Sequence, residues 1–259
     1  MDLTMNGRKA VITGGSVGLG LAMAKRFVSA GAEVTLVARR EKNLEDAKAM
    51  IESVGGKAHS IVGDVSTADG CKAVFVNTTS VMGRIDILVN NAGSSQRGPF
   101  VDIEDKVWQA DIDLKLFAAI RLCRLALPQM RKRKWGRVIN ILNTGAKVPP
   151  AEGAPTSVTR AAGMALTKVM AKEFVSDNVL VNALLVGRIE SEQWVRRHEL
   201  ENNNRSLEDF YSEIGATLPM GRLGTAEEFA NAACFLASDQ GSYISGAALN
   251  VDGGLCDVV

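Results

Sequence analysis

Short apolar runs rich in β-branched residues recur along the chain: KAVIT (9–13), EVTLVA (33–38), KAHSIVG (57–63), IDILVN (85–90), RVINIL (137–142), VLVNALLV (179–186) and AALNV (247–251). Between them, apolar residues return with a period of about 3.6 over 18–30, 41–53, 67–81, 102–133, 157–176 and 226–237, as on an amphipathic helix. Strands alternating with helices read as βαβ units, and right-handed crossovers place helices on both faces of a parallel sheet. The pattern predicts an α/β, doubly wound, seven-stranded parallel sheet (Rossmann) in a single domain over residues 1–259. Pro128 is expected to kink the long 102–133 helix near its last turn. Segment 189–220 departs from the rest: it is polar, charged and weakly periodic, and reads as an insertion over one end of the sheet.

Composition narrows the class. A chain of 259 residues that is 46% hydrophobic can bury the core of one large domain, which excludes disorder and coiled coil. Thirty basic and 29 acidic residues leave a net charge of +1, so no global field recruits nucleic acid or an anionic membrane. The dense run Arg131-Lys132-Arg133-Lys134 falls at a predicted helix end, where the dipole favours cations. The start, MDLTMNGRKAVITGG, holds no apolar segment long enough for a secretory signal, and a cytoplasmic location is expected. Cys71, Cys123, Cys234 and Cys256 form no CxxC pair and His59 lies far from His198, so reduced buried thiols are expected and no metal set.

The first strand runs into Thr13-Gly14-Gly15-Ser16-Val17-Gly18-Leu19-Gly20, and a helix starts at once. Glycine suits such a turn because the backbone must bend tightly and approach a pyrophosphate, with helix-terminal N–H groups facing the anion. An acidic residue ending the second strand would bind a ribose 2′-hydroxyl and select NAD, but this chain has Ala38-Arg39-Arg40 there. A guanidinium fork suits a 2′-phosphate, so NADP(H) is favoured, with NAD(H) the alternative.

With these residues the chain resembles the short-chain dehydrogenase/reductase family over nearly its whole length. The glycine pattern is joined by Asp64-Val65 after the third strand, Asn90-Asn91-Ala92-Gly93, the stretch PMGRLGTAEEFANAACFLASDQGSYISG (219–246) and the closing Asp252-Gly253-Gly254. The resemblance implies that Gly14, Ser16, Val17, Gly18, Leu19, Gly20, Arg39, Arg40, Asp64, Val65, Asn91, Ala92, Gly93, Arg160, Gly187, Ile189 and Ser191 contact the cofactor. It also implies oligomers, a homo-tetramer or homo-dimer, built through 102–133 and 157–176.

The family's chemistry uses Asn, Ser, Tyr and Lys. By the same correspondence those positions hold Asp113, Asn143, Thr156 and Arg160, and the chain's two tyrosines, Tyr211 and Tyr243, lie elsewhere. An aliphatic hydroxyl is far too weak an acid to replace a phenol, and arginine stays protonated, so cofactor holding survives while proton delivery must come from another source. Asn143 can polarise a carbonyl through its amide. Asp113 and Arg160, opposite in sign, are expected either to pair or to have drifted independently. Glu152, Glu190, His198 and Lys147 are further candidates near the mouth. Trp194, Arg196, Arg197, His198, Arg205, Phe210, Tyr211 and Met220 of the insertion suit an anionic or aromatic small-molecule substrate, and equally a lid or subunit contact.

Three readings follow: an NADP(H)-dependent oxidoreductase acting on a small carbonyl or alcohol with non-standard proton chemistry; a non-redox lyase or hydrolase on the same fold; and a nucleotide-binding sensor or inactive partner subunit.

Overall fold

The computed structural model describes residues 3–201 and 205–259. Seven parallel strands form one sheet in the order β3-β2-β1-β4-β5-β6-β7. They are β1 (Lys9–Thr13), β2 (Glu33–Ala38), β3 (Lys57–Val62), β4 (Ile87–Asn90), β5 (Gly136–Asn143), β6 (Val179–Val186) and β7 (Ala248–Val251). Each predicted run holds a strand. β4 starts two residues later than the apolar pattern; Asp86, just before it, accepts Lys9 N–H at 3.0 Å and bonds Arg84.

Residue parity sorts the core. Ile12, Leu36, Val89, Ile139 and Leu184 point to one face, against α1 (Gly18–Ser29), α2 (Glu41–Glu52) and α9 (Ala226–Ala237). Val11, Val37, Leu88, Val138 and Val181 point to the other, against α3 (Ala68–Met82), α5 (Ala118–Arg133) and α6 (Thr156–Phe174). Successive strand residues face opposite sides, so one apolar run supplies both cores.

The predicted 102–133 helix is divided. α4 (Asp105–Ile112) passes into a π turn at Asp113–Phe117 before α5 begins. α5 runs unbroken through Pro128, so the irregularity lies not at the proline but at the wider π turn. The 189–220 segment is itself helical: α7 (Glu192–Glu201) and α8 (Leu207–Ala216) meet through Trp194, His198 and Phe210, with ring centroids 5.4 Å apart for His198 and Phe210. Phe210 is buried there, which gives the polar segment its own small apolar seam.

The basic run closes α5 as expected: Arg131 and Lys134 pair with Asp177, and Arg133 donates to Ile85 O at 2.6 Å. Cys71, Cys123 and Cys234 are buried free thiols, and burial pushes the Cys123 thiol up to about 12. Among the described residues no helix is long and apolar enough to cross a membrane.

Candidate active site

β1 and β4 are neighbours whose crossovers run to opposite sides, and above their C-terminal ends opens a crevice. It is a cavity of about 750 Å³, within the size range of small-molecule sites. One wall is the glycine turn. Gly14 has φ +64°, and a Cβ on Gly20 would stand 2.1 Å from Gly14 O, so strand and helix approach more closely than side chains permit. Val17 caps α1 without a side-chain hydrogen bond and no acid occupies the first turn, which leaves the helix's N–H groups and dipole open to an anion.

Asn91 holds this turn to β4: its Nδ2 donates to Thr13 O at 2.9 Å and Gly14 O at 3.1 Å, while Thr13 Oγ1 accepts the N–H groups of Asn91 and Ala92. At one end of the cavity lie Arg39, Arg40, Asp64 and Val65. The Ser66 N–H bond to Asp64, at 2.9 Å, holds that carboxyl below its ordinary range, and nearby Arg39 adds to the effect. At the other end are Asn143, Gly187, Ile189, Ser191 and Trp194. Gly14, Ser16, Val17, Gly18, Leu19, Gly20, Asn91, Ala92 and Gly93 line the stretch between. Every cofactor residue expected from the resemblance except Arg160 thus borders one continuous cavity, and the arrangement fits a dinucleotide carrying a 2′-phosphate.

Arg160 lies just behind. Its Nη1 donates to Ile141 O at 2.7 Å, and a Cβ on Gly93 would meet Nη2 at 2.7 Å. Burial lowers its pKa to about 10.

The expected Asp113–Arg160 pair does not form. Asp113 is bonded to Arg121 at 3.2 Å and to Gln109 at 2.8 Å, on the outer side of the π turn. Lys115, two residues on, takes the inner place, because the i to i+5 widening at Asp113–Phe117 turns it inward. Its Nζ donates to Asp111 Oδ1 and, at 2.6 Å, to Thr156 Oγ1. Asp111 Oδ2 accepts the Thr159 hydroxyl at 2.7 Å. The side chains of Lys115 and Asp111 are 1% and 0% exposed. Burial brings Lys115 down to about 8, opposed by the bond to Asp111 and assisted by the charges of Arg160 and Arg97.

Thr156 completes this network. A hydroxyl offers two acceptor lone pairs and one proton. Both lone pairs are taken, by Lys115 and by Gln96 N–H at 2.9 Å, and among the described residues none accepts the hydroxyl's own proton. Gln96 sits between Ser95 and Arg97, which line the cavity, so Thr156 lies directly behind that loop. Asn143 faces the cavity with its Oδ1 buried and unpartnered, as is Ser157 Oγ nearby. An amide whose oxygen makes no bond can turn its N–H₂ towards a carbonyl at little cost.

The other candidate acids and bases are engaged elsewhere or lie outside the cavity. Lys147 Nζ donates to Ala248 O and Asn250 Oδ1, both at 2.8 Å, and His198 Nε2 bonds Arg205 O at 2.8 Å. Glu152 and Glu190 are exposed and, like Tyr211 and Tyr243, line no part of the cavity. Lys115 was missed because its place in the sequence is that of a surface helix residue. The signal available was its position four residues after Asp111 on a helix, a spacing that brings opposite charges together.

The parallel sheet, the glycine turn at the β1 edge and the crevice define a nucleotide-binding α/β protein of the Rossmann type. Comparison with known proteins sharpens this. The profile of the family described as Enoyl-(Acyl carrier protein) reductase matches residues 14–256. The chain is 35% identical over 258 residues to 3-oxoacyl-[acyl-carrier-protein] reductase FabG of Chlamydia pneumoniae, covering 98% of this chain and 99% of the relative. L-sorbose reductase from Gluconobacter frateurii, solved with NADPH and L-sorbose, is 34% identical with a TM-score of 0.95 and full coverage of both chains. A short-chain oxidoreductase from Pseudomonas aeruginosa, described as containing an atypical catalytic center, is 33% identical with a TM-score of 0.92, covering 99% of this chain and 100% of that one. The chain belongs to the short-chain dehydrogenase/reductase family of oxidoreductases.

Proposed function

We propose that the protein is an NADP(H)-dependent oxidoreductase that interconverts a small carbonyl compound and its alcohol, with Lys115 and Thr156 supplying the proton for which the family uses tyrosine. The observation that carries this is the single cavity running from Arg39 and Arg40, past the glycine turn, to Asn143 and Ser191. Arg39 and Arg40 are the groups for a 2′-phosphate, and α1 receives the pyrophosphate at its N-terminus. Bound NADPH supplies a hydride. Asn143 orients and polarises the carbonyl oxygen. As that oxygen gains negative charge, the Lys115 ammonium gives up a proton through the Thr156 hydroxyl once the Ser94–Arg97 loop over Thr156 gives way, and the same opening lets the lysine regain its proton from water. Asp111 positions Lys115, and Arg160 raises the acidity of that ammonium by like charge. The centre therefore departs from Asn-Ser-Tyr-Lys at all four places, with Lys115 and not Asp113 in the innermost one. The NADPH complex of L-sorbose reductase and the atypical centre of the Pseudomonas protein support the reading.

The test is nucleotide titration followed by a panel of carbonyls and alcohols. NADPH is expected to raise the melting temperature more than NADH does. If neither nucleotide raises it at millimolar concentration, the reading is wrong. One fact favours a second reading, a nucleotide-binding protein without turnover: Thr156 is only 2% exposed, screened by the Ser94–Arg97 loop. Nucleotide binding with no nicotinamide absorbance change across the panel would select it.

Self-association is part of the proposal. Phe117, Val158 and Val169 expose apolar surface on or beside α5 and α6, and sedimentation is expected to find a dimer or tetramer.

A further inference from the structure

Two arginines far apart in sequence converge on the substrate end of the cavity. Arg97 lies on the loop after β4, fixed by a bridge to Pro155, and Arg188 follows β6; both line the cavity. Among the described residues neither guanidinium has an ion-pair partner. Arg188 sits 5.4 Å from the ring centre of Trp194, an aromatic support that leaves its N–H edge free. Burial lowers the pKa of Arg188, and the charges of Arg97 and Arg197 lower it further, so like charges are gathered here. Lys115 and Arg160 stand behind them, and the buried carboxylate of that network, Asp111, is already bonded to Lys115 and Thr159. Of the cavity's own carboxylates, Asp64 is bound to Ser66 N–H at the far end, and Asp257, on the tail after β7, forms no ion pair with either arginine among the described residues.

A chain of net charge +1 has no general excess of cations, so this local excess is a property of the site. Holding like charges together costs free energy that an arriving anion offsets. The dinucleotide does not account for it, because its phosphates have α1 and the Arg39–Arg40 pair. Two guanidinium forks suit a carboxylate, whose two oxygens accept parallel N–H bonds.

Resting on the oxidoreductase reading, we propose that the substrate carries a carboxylate beside its carbonyl, held by Arg97 and Arg188: an α- or β-oxo acid and the matching hydroxy acid. Asn143 then meets the carbonyl while the forks fix the acid end.

Calorimetry tests this with a panel of α- and β-oxo acids and their neutral methyl esters, on the protein alone and saturated with NADP(H). At least one acid is expected to bind about tenfold or more tightly than its ester, the order of one charge-assisted hydrogen bond. Arg97→Gln and Arg188→Gln are each expected to abolish that preference while changing ester and NADPH affinity by less than about twofold. Esters binding as well as acids throughout, or no acid binding at all, would overturn the proposal, as would variants that weaken NADPH and spare the acid. Acids that bind in an arginine-dependent way without turnover would uphold the anion site and overturn the oxidoreductase reading. Turnover confined to neutral carbonyls would do the reverse.

Discussion

Lys115→Met removes an ammonium from a place that water does not reach. The side chain is 1% exposed and its partner Asp111 is 0% exposed, so the carboxylate left behind keeps only the Thr159 hydroxyl and the distant charge of Arg160. Breaking a buried ion pair from one side costs about 3–5 kcal/mol, because the remaining charge cannot be solvated, whereas replacing both partners by groups of similar shape is close to neutral. Lys115→Met is therefore expected to lose about 3–5 kcal/mol, and Lys115→Met with Asp111→Asn less than the single variant. Denaturant unfolding at fixed protein concentration reads this from midpoints and slopes. A second signature lies in the pH dependence. Burial places the folded-state pKa near 8 against 10.5 in the unfolded chain, so between those values the unfolded chain holds the extra proton. The wild-type protein is then expected to gain stability relative to Lys115→Met as pH rises through that window. Additive single and double variants would refute the pairing, and a pH-independent difference would refute the buried, depressed ammonium.

The remaining predictions concern activity and the nucleotide. In the reduction direction kcat/KM is expected to fall above about pH 8, where Lys115 loses its proton, and this limb should be absent in Lys115→Met; a limb retained in the variant assigns the proton to another group. Arg39→Asp is expected to weaken NADPH by about 10–100-fold and narrow the gap to NADH, since it removes a fork and adds a charge beside Asp64; an unchanged ratio from competition titrations removes Arg39 from the 2′-phosphate role. Gly20→Ala places a methyl 2.1 Å from Gly14 O and is expected to lower stability by about 1–3 kcal/mol and nucleotide affinity with it; an unaltered melting temperature with and without NADPH would show that the turn gives way freely.

Much of the cradle is legible in the chain because its determinants are local. Gly14 to Gly20 must follow a strand and open a helix, and the strand pattern shows that they do. Arg39 and Arg40 directly follow the second strand, whose apolar run ends at Ala38 and marks their place in the chain. The catalytic side is less legible. The sequence correctly locates Asn143 at the end of β5 and Thr156 and Arg160 at the start of α6, but it offers Asp113 where Lys115 stands. The Asp113 assignment rests on family correspondence, whereas which residue faces inward is set by the π turn at Asp113–Phe117, a single widened turn that the sequence pattern does not register.

What the sequence by itself determined was the seven-stranded nucleotide fold, the glycine turn with its paired arginines, and the lack of a tyrosine at the start of α6. Those follow from side-chain periodicity, backbone freedom and residue chemistry, which act over a few residues. Tertiary structure alone decided that Asp113 goes to Arg121, that Lys115 is buried against Asp111 and Thr156, and that Arg97 and Arg188 share one end of a cavity. Burial and charge proximity between residues on different elements depend on the packed positions of those elements, and pKa values and partner choice follow from them.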